Sequence, residues 1–273
     1  MFTSPPPQFR CPSKIISLVP SITELLWHLG LERETIGITK FCVHPRQWLH
    51  EKKRIGGTKN LHVDEIISLQ PHLVIASREE NVKEQVESIA KHVPVFLTDV
   101  VTLEDAYQMI SDVGQLTGKH KRAEELVINI KDAFLGNRIP TNDPSIPTSN
   151  HLVQATRMAP PTIYLIWKDP FMTIGGDTFI SNMMRAAGFE NVYAVSNRYP
   201  EVSIEELANS RAELMFLSSE PYPFKEKHIQ ELAPHLPGKT IVVVDGEMFS
   251  WYGSRMLEAP GYFRSLRELL AKG

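Results

Sequence analysis

Two spacings of apolar residues alternate along the chain. Apolar runs of four or five residues, bounded by Gly, Pro or Asp, give way to stretches where apolar residues recur every three to four positions. "KIISLVPSITELLWHLGL" opens the series as a strand, a tight Pro-Ser turn and a helix. Residues 63–77, "VDEIISLQPHLVIAS", predict a short helix with acidic residues at its start, a turn and an apolar strand. Residues 204–219, "IEELANSRAELMFLSS", repeat that pattern, with Asp64, Glu65 and Leu73 matching Glu205, Glu206 and Leu214 at a constant offset of 141. "NVKEQVESIAKHVPVFLTD" then predicts a helix and a strand ending at Asp99, and "FKEKHIQELAPHLPGKTIVVVD" predicts the same, ending at Asp245. "PTIYLIWKDPFMTIGGDTFISNMMRAAGF" matches the opening strand, turn and helix in kind, with a longer turn.

Three segments that each have a second copy, in the same order, mark an internal duplication. Strands alternating with helices of this length imply parallel sheets flanked by helices. The expected fold is therefore α/β, with an N-terminal lobe over 13–101 and a C-terminal lobe over 161–273. Residues 102–137 connect the copies through helices. The first of these stops at Gly118. The second, over 119–136, spaces Ala123, Leu126, Val127, Ile130 and Phe134 at helical intervals. At ~1.5 Å per residue it spans roughly 27 Å, enough for a single backbone helix joining two lobes. Residues 138–160, rich in Pro, Ser, Thr and Asn, read as an exposed linker.

Composition narrows the function classes. The chain has 273 residues, 42% of them hydrophobic and 22% charged, which is ordinary for a globular protein. A net charge of −3 gives no electrostatic footprint for nucleic acid. Cys11 and Cys42 make neither a disulfide framework nor a structural zinc motif. No apolar run approaches the ~18 residues of a membrane span. "MFTSPPPQFRCPSK" has no apolar signal core, so the sequence as written is expected to carry no export signal, and Cys11 lacks the hydrophobic approach of a lipid-modified cysteine.

"TIGGDTFISNMMRAAGF", residues 173–189, places two glycines before a helix. A nucleotide cradle is excluded by context, since neither G-x-G-x-x-G spacing nor a following Lys-Ser/Thr is present. Free amides at such a turn favour an anionic or acceptor-rich group, and Asp177 is a candidate helix cap. No G-x-S-x-G or H-E-x-x-H motif marks a reaction centre, and spacing nominates no nucleophile–base pair, so no catalytic residue is assigned.

"VPSITELLWHLG", "IGGTKNLHVDEIISLQPHLVIAS", the helical connection, "PFMTIGGDTFI" and "WYGSRM" together resemble the helical-backbone substrate-binding proteins of metal-chelate ABC importers. Cobalamin and iron–siderophore receptors belong to that group. The resemblance covers nearly the whole chain. It implies the fold of class III periplasmic binding proteins, a ligand gripped in the cleft between the lobes, and an ABC permease as partner. It also implies a monomer without catalytic activity, no intrinsic cofactor and no protein-held metal, the ligand itself being a cobalt or iron chelate.

Site residues follow from the same resemblance. Phe41 and His44, in "TKFCVHP", fall where cobalamin receptors place tyrosines against their ligand, and His44 could stack, hydrogen-bond or ligate a metal centre. Phe171 and Tyr199 match aromatic cleft residues, and Trp167 stands at the mouth of the preceding strand. Glu247 and Arg255 fall on a ligand-binding aspartate and arginine, while Phe249, Trp251 and Tyr252 add flat faces. Arg78 follows Ser77, which, with Thr58, stands where cobalamin receptors carry tryptophans. Asp64 and Glu205, in the first turns of equivalent helices, are the expected permease-docking acids. "SIEE" reads in addition as a capping box, Ser203 to Glu206. The competing class is a cytoplasmic chelate- or cofactor-processing enzyme, or an intracellular carrier, on the same fold.

Overall fold

A computed structural model describes residues 1–6, 9–136 and 159–272. The chain forms two compact units, Met1–Lys131 with Trp251–Glu258, and Asp132–Ser250 with Ala259–Gly273. The first contains β1 (Ile15–Ser17), α1 (Pro20–His28), β2 (Thr35–Ile38), α2 (Trp48–Glu51) and β3 (Lys53–Arg54). It continues with β4 (Gly56–Gly57), β5 (Asn60–Leu61), α3 (Val63–Ser68), β6 (Leu73–Ser77), α4 (Lys83–Ala90), β7 (Val95–Thr98) and α5 (Leu103–Thr117). The unit boundary falls inside α6 (His120–Gly136).

Five parallel strands make the first sheet, in the order β3-β2-β1-β6-β7. β1 and β6 are buried along their whole length, which is why they read as unbroken apolar runs rather than as alternation. Ile16, Leu18, Val74, Ala76 and Val95 pack against Ile66 of α3 and Val86 and Ile89 of α4. Each of the Ile, Leu and Val side chains removed from water contributes about 1.5–3 kcal/mol. On α1, Ile22, Leu25 and Leu26 are fully buried.

α5 shows how local chemistry sets an element's ends. Thr102 accepts from the Asp105 amide at 3.1 Å, and Asp105 accepts from the Thr102 amide at 2.8 Å, closing a capping box. Gly118 ends the helix at φ 71°, the left-handed conformation that glycine adopts without steric cost. The expected stop at Gly118 and the second helix over 119–136 match α5 and α6 closely.

The second unit contains β8 (Pro161–Leu165), α7 (Phe179–Ala186), β9 (Glu190–Asn191), α8 (Ile204–Asn209) and β10 (Leu214–Ser218). α9 (Glu226–Leu232), β11 (Thr240–Val244), α10 (Glu247–Ser250) and α11 (Ala259–Leu270) complete it. Its parallel sheet runs β11-β10-β8-β9. The duplication is visible here: α3–β6–α4–β7 and α8–β10–α9–β11 follow the same course. Among the described residues no helix is long and apolar enough to cross a membrane. The proposed linker at 138–160 lies, apart from its last two residues, outside the described residues.

One segment departs from the sequence expectation. Trp251–Glu258 follows the last strand of the second unit but packs with the first. Its 3-10 turn, Ser254–Leu257, lies against α1. Trp251 and Arg255 were expected in the C-terminal lobe over 161–273; their burial partners are in the first unit.

Candidate functional site

In open α/β sheets, ligand sites form at the carboxyl ends of strands where the strand order reverses. In the first unit that point lies between β1 and β6, with β2 on one side of β1 and β6 on the other. Ser77 ends β6, Thr98 ends β7, and Ser21 stands in the first turn of α1. The Tyr252 hydroxyl lies among these three, and burial raises its pKa. The chain's own tyrosine therefore fills the crevice. Tyr252, expected to offer a stacking face, is a plug.

The second unit solves the same problem with a local tyrosine. Tyr164, on β8, donates to Ser218 Oγ at 3.0 Å, and Ser218 is the counterpart of Ser77 in the duplication. Phe249 packs on Tyr164 at 5.2 Å and on Phe263 at 4.8 Å between ring centroids and is fully buried. Its expected place facing a ligand is thus corrected: Phe249 belongs to the core.

A second cluster in the first unit gathers several predicted residues. Arg255 is 9% exposed. Its Nε and Nη2 donate to Glu24 Oε2 and Oε1 at 3.1 and 2.7 Å. The guanidinium stands over the Trp251 ring, 5.4 Å from its centroid, and His44 meets the same ring edge-on at 5.6 Å. Glu258 lies 3.6 Å from Nη1. Burial raises the Glu24 pKa, and the attraction of Arg255 and His44 offsets this only in part. The arginine expected to hold a ligand's carboxylate or phosphate is instead paired internally, and Trp251, 6% exposed, is a supporting ring.

Other predicted residues stay accessible. Phe41 is 51% exposed, with Lys40 Nζ 5.0 Å from its ring centroid. Trp167 is 41% exposed and meets Tyr222 edge-on at 5.8 Å. Tyr199 is half-buried under the Arg198 guanidinium, and Phe171 is half-buried against the second core. Glu247 opens α10 with its amide donating to Asp245 Oδ1. Arg78 is exposed and pairs with Asp99 at 2.8 Å. Asp64 and Glu205 are exposed in the first turns of α3 and α8.

Two local expectations change. The Gly175 and Gly176 amides donate to Arg198 O at 2.7 Å and Ser196 O at 2.9 Å, so they are not free for an anion. The glycines are there because a Cβ at either would collide with the backbone of residues 194–197. Thr178, not Asp177, caps α7, accepting from the Ser181 amide; Asp177 accepts from the Arg198 amide instead. Cys42 is fully buried against Thr23 and Thr39, and burial pushes its thiol up to about 11, which keeps it protonated and a poor metal ligand at neutral pH. Among the described residues no group of three His, Cys, Asp or Glu could hold a metal ion.

The family model described as periplasmic binding protein matches residues 15–236. The chain belongs to the periplasmic binding protein family. The vitamin B12-binding protein of Vibrio parahaemolyticus serotype O3:K6 is 25% identical over 207 residues, 75% of this chain and 70% of that one. The solved periplasmic vitamin B12 binding protein BtuF of Vibrio cholerae is similar with a TM-score of 0.75 at 17% identity, covering 96% of this chain and 99% of that one. A periplasmic heme binding protein from Pseudomonas aeruginosa gives 0.73 at 18%, covering 93% and 92%. At these identities the structural likeness is one of fold.

Within this periplasmic binding protein, three functional or supporting groups were missed from sequence. Glu24 lies on α1, "PSITELLWH", between the buried Ile22 and Leu25, and a carboxylate there signals a buried partner. Asn81 accepts from the Ser77 amide at 2.8 Å and donates to Leu18 O and Thr58 O, tying three loops together. Nothing in the spacing distinguishes it from a surface asparagine. Tyr164 hides inside an apolar strand, where only its hydroxyl marks a need for a partner.

Proposed function

We propose that this protein is a substrate-binding protein that captures a metal chelate, of corrinoid, haem or ferric-siderophore type, and delivers it to an ABC permease. The family match over residues 15–236 carries the reading, because binding rather than turnover is what that family does. Relatives named for vitamin B12 and heme support a large, flat, metal-centred ligand. The exposed aromatic faces suit such a molecule: Phe41, beside His44, in the first unit, and Trp167, with Phe171 and Tyr199, in the second. Glu247 and Arg78 supply polar fingers at strand ends. Arg255 and Trp251 support His44 from behind. Asp64 and Glu205 serve as docking acids, exposed and not needed for the helix caps nearby.

Tryptophan fluorescence tests the ligand class. Titration with cobalamin, cobinamide, haem and ferric siderophores should quench emission saturably for one chelate class, and Trp167→Phe should remove part of that quenching. Flat titrations for every chelate would end the proposal.

A further inference from the structure

Trp251 lies between α10 and the 3-10 turn Ser254–Leu257, in a stretch without regular structure. No helix or strand ladder orients its ring. Arg255 stands over the ring face and His44 meets the ring edge at an interplanar angle of 75°. What orients Arg255 is Glu24. A guanidinium seated by two parallel hydrogen bonds on a carboxylate has its plane fixed, which a lysine's point charge would not achieve. Glu24 in turn has a fixed position, since it rides on α1 between the fully buried Ile22 and Leu25.

We propose that Glu24 is a positioning residue, which through Arg255 sets the orientation of Trp251 and of the His44 imidazole against it. The inference rests on the reading of His44 as a ligand-facing group. All four residues belong to the first unit. The charged groups facing Glu24 are Arg255, Glu258 and His44. A buried ion pair is weak grounds for stability, because the desolvation of both partners offsets their attraction. Burial outweighs both favourable partners at Glu24 and raises its pKa, so the attraction of Arg255 does not repay the cost of burying the carboxylate. A group retained on those terms serves geometry better than it serves stability. The neighbouring Glu258 cannot replace it: its side chain is 64% exposed and reaches only one guanidinium nitrogen, at 3.6 Å.

The test uses the full chain labelled with 5-fluorotryptophan, with the Trp251 resonance assigned by Trp251→Phe. Glu24→Gln should shift the Trp251 resonance by more than its linewidth while Trp48 and Trp167 hold theirs. Arg255→Lys, which keeps the charge and loses the fork, should shift it too, and this variant decides the matter should Glu24→Gln not fold. Glu258→Gln should leave it in place. An unmoved Trp251 resonance in a folded Glu24→Gln or Arg255→Lys protein overturns the proposal, as does an equal shift in Glu258→Gln. These readouts need no ligand. Haem and cobinamide titrations of the same proteins form a separate arm, in which a silent wild-type protein counts against the ligand reading and a weaker response in Glu24→Gln supports the positioning role.

Discussion

Glu24 shows how a single side chain can couple pH to stability against first intuition. Its carboxylate holds a close arginine, yet burial keeps its folded pKa above the unfolded value. The folded state therefore binds the proton more tightly, so this residue's contribution to stability is fully present below the unfolded pKa. That contribution declines as pH rises through the folded pKa. Glu24→Gln should remove this decline, so that urea midpoints of variant and wild type diverge across that window. Parallel pH profiles for the two proteins would contradict the assignment. At Gly175 and Gly176 the residue identity is set by the approach of a neighbouring loop rather than by a ligand. The sequence pattern shows a turn there, but only coordinates show that residues 194–198 accept its amides.

At the level of elements, most of the architecture was readable. The capping box at Ser203 forms as predicted, with the Glu206 amide donating to Ser203 Oγ at 3.1 Å and Glu206 accepting from the Ser203 amide at 2.7 Å. This separates two roles on one short helix. Ser203→Ala should destabilise the protein by about 1 kcal/mol in urea unfolding, the usual cost of a lost cap. Glu205→Ala should leave the midpoint where it is and lower ATP-driven uptake in a reconstituted permease system; a destabilised Glu205→Ala would return that residue to a structural role. The strand ends were legible because β6, β7 and β10 are largely buried apolar runs closed by polar residues, and β11, half-buried, is an apolar run followed by Asp245. Element identity is local, and periodicity reports it. Partner choice is not local. Nothing in "SWYGSRM" reveals that Tyr252 reaches the end of β6 or that Arg255 finds a glutamate 231 positions away.

The whole molecule consists of two duplicated α/β units that have diverged in how each fills the reversal point of its sheet. The second uses Tyr164 from its own first strand; the first uses Tyr252, brought from beyond the second unit's last strand. Tyr252→Ala should destabilise the protein by about 3–4 kcal/mol through the cavity it leaves. Amide hydrogen exchange should quicken at the ends of β1 and β6 and in the first turn of α1, with β8 and β10 unchanged. Uniform quickening in both units would show that they unfold as one.

The return of residues 251–258 to the first unit also fixes an order of events during synthesis. Nearly the whole chain must leave the ribosome before Tyr252 and Arg255 reach their seats, so the N-terminal sheet waits, with its reversal point open, while the second unit is being made. A gene fragment ending after α6 would then encode a sheet permanently missing its plug.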